Sequence, residues 1–238
     1  MHVVRLRRAL FVGALVVLTQ GISAHATTNH ATTNTTTRIA GLYATGEGGK
    51  KGRADLHYEL IEAPRCSFSE AYIACQTPWS WVWAPPGSAW ISPYKNARHD
   101  APAGDYVYRL TFDLVDGCGN ALDPLTASFS SHFAADDAVD IFLNGNLIAS
   151  SPGCSRVPSY SRLYCFGADS GFVEGLNALD FVVHNRGCRK SPTGLLVTDF
   201  CSRGTHLPQP VPEPGTGTIL GLGLITMVAA RLRSNRAR

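Results

Sequence analysis

Short segments in which apolar and polar residues alternate follow one another through the middle of the chain, separated by turn residues. The clearest covers residues 105–114, and another covers residues 140–148 around an Asn144-Gly145 turn. Alternation with a period of two is typical of half-buried strands, and Asn-Gly between apolar pairs is a strong β-hairpin signal. No stretch keeps a helical period. The pattern predicts an all-β fold, an antiparallel β-sandwich that is jelly-roll-like.

Strand pairing is suggested by two further apolar segments, residues 179–183 and 195–200, which flank a loop with Gly187, Pro192 and Gly194. We expect these two segments to pair with each other across that loop. We also expect residues 106–114 to lie antiparallel to residues 179–183.

The first 26 residues have the three parts of a secretory signal peptide. A basic stretch is followed by an apolar run over residues 9–18 and by Ala24-His25-Ala26, which has the small-x-small pattern of a cleavage site. The apolar run is about half of the roughly 20 residues that a membrane-spanning helix needs. We therefore predict export through the secretion machinery and cleavage after Ala26.

The last 28 residues carry a different signal. Val211, Pro212, Glu213 and Pro214 precede an apolar, glycine-rich run over residues 216–230, and four arginines follow within the last eight residues. The run predicts a short C-terminal membrane helix, and the arginines keep its end on the cytoplasmic side. Because proline holds the backbone extended, the Pro-Glu-Pro turn is accessible to a protease.

This order of motif, apolar run and arginine cluster resembles the PEP-CTERM sorting signal of Gram-negative exopolysaccharide producers. The resemblance implies that an integral-membrane exosortase recognises the motif and removes the helix. The protein would then be held transiently in the inner membrane before it reaches the cell surface or the extracellular matrix. A plain C-terminal anchor is less favoured, because about 15 glycine-rich residues span a bilayer poorly.

Composition places one globular body between these ends, since the chain is 45% hydrophobic and 16% charged. Between the two end segments, 14 basic residues stand against 17 acidic ones, so we expect no nucleic-acid partner. The divisions that we assign are a signal peptide at 1–26, a flexible Thr/Asn-rich leader at 27–40, the sandwich at 41–205, a linker at 206–211 and the sorting segment at 212–238.

The body also resembles a domain that recurs among PEP-CTERM proteins and is related to galactose-binding-like jelly rolls. The resemblance covers roughly residues 41–200, and its most specific motifs are AADD at residues 134–137 and FLNG at residues 142–145. It implies a sandwich of the kind that accompanies carbohydrate-active or adhesive proteins. The cysteine-bearing loops at residues 66–75 and 154–165 depart from the family pattern, so loop specificity does not carry over.

Seven cysteines follow the export signal, and disulfides persist in an oxidising compartment. No Cys-x-x-Cys pair occurs, which argues against zinc. Short loops suggest pairs between Cys66 and Cys75 and between Cys154 and Cys165. The expected strand order places Cys118 next to Cys201, which leaves Cys188 as the odd thiol.

Asp136, Asp137 and Asp140 are candidate calcium ligands, because clustered carboxylates suit a hard cation. A capped turn is the favoured alternative, since adjacent residues of a strand point to opposite faces. We therefore expect neither a metal nor another cofactor.

Trp79, Trp81 and Trp83 alternate in PWSWVWAPP, so in an extended segment the three rings share one face. Such a face is suited to stacking on sugar rings, and prolines on either side favour an edge or a loop. Core packing of the three rings is the alternative. Trp90 is assigned to the core.

No catalytic motif occurs: the histidines are scattered, and neither a Gly-x-Ser-x-Gly elbow nor a His-Glu-x-x-His helix is present. We therefore predict a non-catalytic, exported surface or matrix protein that binds or organises extracellular polysaccharide. The alternatives are a carbohydrate-active enzyme or its accessory module and a proteinaceous adhesin. The candidate glycan-binding residues are Trp79, Trp81, Trp83, Asp136, Asp137 and Asn144.

Overall fold

Two antiparallel sheets pack face to face in the computed structural model, which describes residues 36–64, 68–151, 159–186 and 191–207. Within these ranges the chain forms eleven strands and one short 3-10 helix at Ser159–Ser161. The predicted all-β antiparallel sandwich is confirmed. Strands are numbered β1 to β11 in chain order.

The first sheet has five strands, and the second has six. The order in the first sheet is β1 (Tyr58–Glu62), β4 (Gly104–Asp113), β9 (Leu176–Asn185), β6 (Ala138–Leu143) and β7 (Asn146–Ser150). The order in the second sheet is β11 (Cys201–Arg203), β5 (Ser128–Asp136), β10 (Gly194–Val197), β3 (Ile91–Ser92) and β2 (Tyr72–Ile73), with β8 (Tyr164–Ala168) on the other side of β5.

The core lies between the sheets and is filled by side chains of alternate strand positions. In β4, Tyr106, Tyr108 and Leu110 are almost fully buried, as the alternation over residues 105–114 predicts. Phe166 of the second sheet meets Phe181 of the first edge to face, with ring centroids 5.7 Å apart. Burial of these large rings is the main source of stability for the sandwich.

The predicted hairpin and one predicted strand pair are confirmed. Asn144 and Gly145 both have positive φ, 51° and 80°, and they join β6 to β7. This is the backbone twist that a two-residue hairpin turn needs, which Asn-Gly adopts at low cost. The strands β4 and β9 pair antiparallel in a register that sets Tyr106 opposite Val183.

The predicted pairing of residues 179–183 with 195–200 is wrong. Residues 179–183 belong to β9 of the first sheet, whereas β10 lies in the second sheet between β5 and β3. All four residues of β10 are buried, because a second layer of side chains covers the outer face of this strand. Between β9 and β10 the chain therefore crosses from the first sheet to the second. The glycines and the proline of this loop predicted a connection between strands but not which sheet the next strand joins.

The predicted bond between Cys118 and Cys201 is also wrong, since both thiols are free and exposed. Cys201 pairs with Ser130, while Leu122, which follows the turn that contains Cys118, pairs with His206. The turn with Cys118 therefore lies near residue 206. An extended chain covers about 16 Å between residues 201 and 206, which is farther than a disulfide can span.

Other predicted cysteine pairs involve residues that the structure does not describe. Cys75 and Cys165 are free and exposed. Their predicted partners, Cys66 and Cys154, and the predicted odd thiol, Cys188, lie outside the described residues.

Both ends of the described chain lie at one end of the sandwich. The backbone groups of Thr37 and Gly204 exchange two hydrogen bonds of 2.9 Å, and the Leu207 N–H donates to the Ala121 carbonyl. Asp116 supports this end: one carboxylate oxygen accepts from the N–H groups of Cys118 and Asn120, and the other lies 2.9 Å from His206 Nε2. We call this end of the sandwich the exit end.

The signal peptide, the sorting segment, and most of the leader and linker lie outside the described residues. This holds for the predicted cleavage site at Ala24 and Ala26 and for the predicted membrane helix. Within the described ranges, no helix is long and apolar enough to span a bilayer.

Candidate functional site

The chain between β2 and β3 folds over the outer face of the second sheet, where it forms a small second core. Trp81 and Trp90 are its largest members, and they pack on side chains of β5 and β10. Trp90 is 3% exposed, which confirms its predicted place in a core. The buried members of this second core are Ala74, Trp81, Trp90, Ala97, Ala134 and Leu196.

Trp81 is the anchor of this segment. Its side chain is 6% exposed, and its ring lies against that of Trp90 with centroids 4.1 Å apart. The Nε1–H donates a 2.8 Å hydrogen bond to Oδ2 of Asp136. A Cβ on Gly194 would lie 2.7 Å from the Trp81 ring, so the ring fits here because position 194 is a glycine.

Trp79 and Trp83 project into solvent on either side of the anchor, 95% and 90% exposed. The prediction that three alternating rings share one face is therefore wrong. Residues 78–81 form a turn, closed by a hydrogen bond from the Trp81 N–H to the Pro78 carbonyl, so the segment is not a strand. A turn breaks the alternation and sends the middle ring inward.

Backbone hydrogen bonds hold the exposed rings in place. The Val82 N–H donates to the Tyr160 carbonyl at 2.7 Å, and the Trp90 Nε1–H donates to the Val82 carbonyl at 2.9 Å. After Trp83, the Ser88 N–H and hydroxyl both bond to the Pro85 carbonyl. The two exposed tryptophans therefore project from a fixed backbone.

A groove of about 540 Å³ runs between these rings. Its polar side chains include Lys51 and Arg98, and the Arg98 Nε–H donates to the Thr77 carbonyl at 2.9 Å. The lining residues are Lys51, Ala74, Cys75, Gln76, Thr77, Pro78, Trp79, Trp81, Val82, Trp83, Ala84, Ser88, Ala89, Trp90 and Arg98.

The electrostatics beneath the groove are dominated by Asp136, which is 6% exposed. The pKa of this carboxyl group is raised to about 8, first by burial and then by the nearby Asp137, while the hydrogen bond from Trp81 acts to lower the pKa. The backbone carbonyl of Asp136 accepts from the Thr193 hydroxyl. Asp136 therefore supports the groove through Trp81 and does not line it.

The other predicted aspartates take separate partners. An Asp137 carboxylate oxygen accepts from the Arg186 N–H at 2.8 Å. Asp140 lies 3.1 Å from His184 and accepts from the Ser150 hydroxyl. In the part of the chain that the structure describes, no group of three or more acidic, His or Cys side chains is placed to hold a metal ion.

Asn144 lies far from the tryptophans, at the exit end. Its side-chain amide donates to the Gly171 carbonyl and to Oδ1 of the buried Asn177, and its Oδ1 accepts from the Ala178 N–H. These bonds tie the hairpin turn to the loop before β9. The structure thus separates Asn144 from the other predicted glycan-binding residues and occupies its side chain with the fold.

Sequence reasoning missed Lys51 and Arg98 as residues of the groove. Lys51 belongs to a glycine-rich loop that pairs with β2, and Arg98 follows β3. Neither lies in a motif, so only the folding of the segment around Trp81 brings them to the tryptophans.

Residues 210–234 match the PEP-CTERM protein-sorting motif, which confirms the sorting signal predicted at the C-terminus. A motif of this kind indicates export and membrane-anchored sorting. A search of the curated proteins gives no match.

Two solved structures similar to this chain are family 35 carbohydrate-binding modules. CBM35 from Paenibacillus barcinonensis is 16% identical, with 66% of this chain and 97% of that chain covered and a TM-score of 0.29. A module from an environmental isolate is 11% identical, with 63% and 98% covered and a TM-score of 0.25.

Proposed function

We propose that the protein is a non-catalytic, exported polysaccharide-binding protein whose binding site is the groove between Trp79 and Trp83. The observation that carries this proposal is the almost complete exposure of two tryptophan rings on a fixed backbone. Single apolar side chains are common on protein surfaces, whereas two large exposed rings beside one groove are typical of a binding surface.

The chemistry of the groove suits a sugar chain. The faces of pyranose rings present C–H groups, which pack on the faces of indole rings, and two separate tryptophans match successive units of a polymer. Because the backbone is already fixed, little conformational entropy is lost on binding. Gln76, Lys51 and Arg98 supply hydrogen bonds for hydroxyl or acidic groups at the rim.

A binding role is favoured over hydrolysis by the composition of the lining. None of the described residues that line the groove is an aspartate or a glutamate. Glycoside hydrolysis generally uses two carboxyl groups on either side of the scissile bond. The nearest carboxyl group described above, that of Asp136, is buried beneath Trp81.

Replacement of Trp79 or Trp83 by alanine should weaken polysaccharide binding about tenfold or more, which corresponds to about 1.4 kcal/mol or more for each ring. The thermal midpoint should stay nearly unchanged because both rings are exposed. Affinity electrophoresis of the detergent-solubilised full chain in gels with neutral or acidic polysaccharides measures both the preference and the loss.

The control variants separate the rings from general surface effects. Trp79→Tyr keeps an aromatic face and should retain part of the binding, whereas Leu125→Ala removes an equally exposed side chain at the other end and should change nothing. If both tryptophan variants migrate like the wild type in every gel that retards it, the groove is not the binding site.

We further propose that an exosortase of a Gram-negative host processes the sorting motif and that the released body remains in an exopolysaccharide matrix. The match at residues 210–234 supports this proposal. Binding to the matrix polymer would then keep the processed protein near the cell after its membrane helix has been removed.

Replacement of Pro212, Glu213 and Pro214 by alanine should leave the full-length protein in the membrane fraction of an exosortase-positive host. The wild type should instead lose its C-terminal segment, because the extended Pro-Glu-Pro backbone is the part offered to the protease. Intact-mass spectrometry of the membrane and extracellular fractions measures this difference. Equal processing of the two proteins would contradict the proposed sorting.

A further inference from the structure

The groove and the two chain ends lie at opposite ends of the sandwich. Trp81 contacts Asp136 and Gly194, which pair with each other at one end of β5. Arg203 pairs with Ser128 at the other end of the same strand, eight residues or about 27 Å away. From there the chain continues past Gly204 to Leu207, so its last described residue lies beyond that end.

The exit end also carries exposed aliphatic side chains, on two loops and at the start of β9. Leu125 is 90% exposed at the tip of the turn 123–126, Leu176 is 64% exposed and Val173 is 47% exposed. The loops are connected, because the Leu122 N–H donates to the Leu114 carbonyl and the Leu114 N–H donates to the Gly175 carbonyl. These three side chains therefore belong to one end of the fold.

The distance from this end to the sorting motif is short. Five residue steps lead from Leu207 to Pro212, and an extended chain of that length reaches at most about 17 Å. While the motif is held at the membrane, the exit end is therefore the part of the body nearest the bilayer. The tryptophan groove lies about the length of β5 from that end.

We propose that, in the membrane-anchored protein, the exit end rests on the bilayer surface through Leu125, Val173 and Leu176, and that the tryptophan groove faces away from the membrane. Aliphatic side chains on loop tips gain free energy when they enter the interfacial region. Asp123 and Glu174 lie on the same loops, so the contact is apolar and is not an attraction to anionic headgroups.

This orientation has a functional consequence. The groove of the anchored protein is open to a polymer outside the cell, so sorting and binding do not compete for the same side of the body. The proposal rests on the sorting motif and on the position of the chain ends, and it holds whether or not the groove binds polysaccharide. Its test therefore contains no sugar.

The native tryptophans provide the first arm of the test, because all four, Trp79, Trp81, Trp83 and Trp90, lie in the segment around the groove. The full chain is reconstituted in phosphatidylcholine vesicles that contain a nitroxide-labelled lipid, which quenches fluorophores at the bilayer. Tryptophan emission should be the same with and without the labelled lipid. Quenching of the native emission would overturn the proposed orientation.

The second arm uses Leu125→Trp, a substitution at a 90% exposed position that the fold should tolerate. The emission that this variant adds to that of the native chain should be lost in the labelled vesicles. If the added emission persists, the exit end does not touch the bilayer and the proposal is wrong. The vesicles contain no other protein, so quenching there also excludes a protein partner as the cause.

Discussion

Trp81→Ala should lower the free energy of unfolding by about 3–5 kcal/mol, the cost usually found when a buried tryptophan is truncated. The indole fills the second core against Trp90 and Gly194, and its N–H is the donor to the buried Asp136 carboxyl group. Truncation leaves both a cavity and a buried acceptor without its donor. Urea denaturation followed by circular dichroism measures the change.

Two control variants test whether the loss of stability comes from the buried position of Trp81. Trp81→Phe keeps a six-membered ring but removes the pyrrole part of the indole with its N–H donor, so it should cost less than the alanine substitution, about 1–3 kcal/mol. Trp79→Ala truncates a tryptophan two residues away that is 95% exposed, and its midpoint should equal that of the wild type. Equal stability of the alanine variants at 79 and 81 would show that Trp81 is not an anchor.

Asp136→Asn should remove most of the loss of stability that the wild type shows as the pH rises from about 4 to about 8. Burial and the neighbouring Asp137 together raise the pKa of Asp136 to about 8 in the folded protein. The folded chain then holds a proton in this range that the unfolded chain has released. Stability therefore falls with rising pH, by at most about 1.4 kcal/mol per pH unit for one group, and levels off above pH 8.

Asparagine has the shape of the protonated carboxyl group and still accepts a hydrogen bond from Trp81, but it does not ionise. Subtracting the variant's unfolding free energy from that of the wild type at each pH removes the contributions of other groups. These include His184, whose pKa is raised by hydrogen bonds to Asp105 and Asp140 although burial lowers it. A difference that stays constant from pH 4 to pH 8 would contradict the expectation.

Asp137→Asn is the matched second variant. It removes the negative charge that raises the pKa of Asp136, so it should shorten the pH range over which stability declines without abolishing the decline. Urea midpoints measured at closely spaced pH values distinguish the two variants. Identical pH profiles for the two variants would contradict the expectation that Asp136 is the group whose ionisation lowers the stability.

Local features of this protein were predictable from its sequence. The strand at residues 105–114 follows from alternation, since each strand residue faces either the core or the outside. The Asn144-Gly145 hairpin follows from the backbone angles that these two residues adopt at low cost. The sorting motif at residues 210–234 is likewise a contiguous signal. In each case the cause lies within a few neighbouring residues.

The site depended on contacts between distant parts of the chain, and there the sequence was insufficient. Three alternating tryptophans look alike in PWSWVWAPP, yet only Trp81 finds a buried acceptor in Asp136, 55 residues away, and a glycine at 194 that leaves room for its ring. Likewise, β10 pairs with β5 and not with β9 because all four of its residues are buried in the second sheet. This burial involves residues that are distant along the chain. The all-β fold, the hairpin and the sorting signal follow from local sequence. Which rings are exposed, and which end of the sandwich carries the groove, depend on the tertiary structure, because long-range packing selects among local conformations of similar energy.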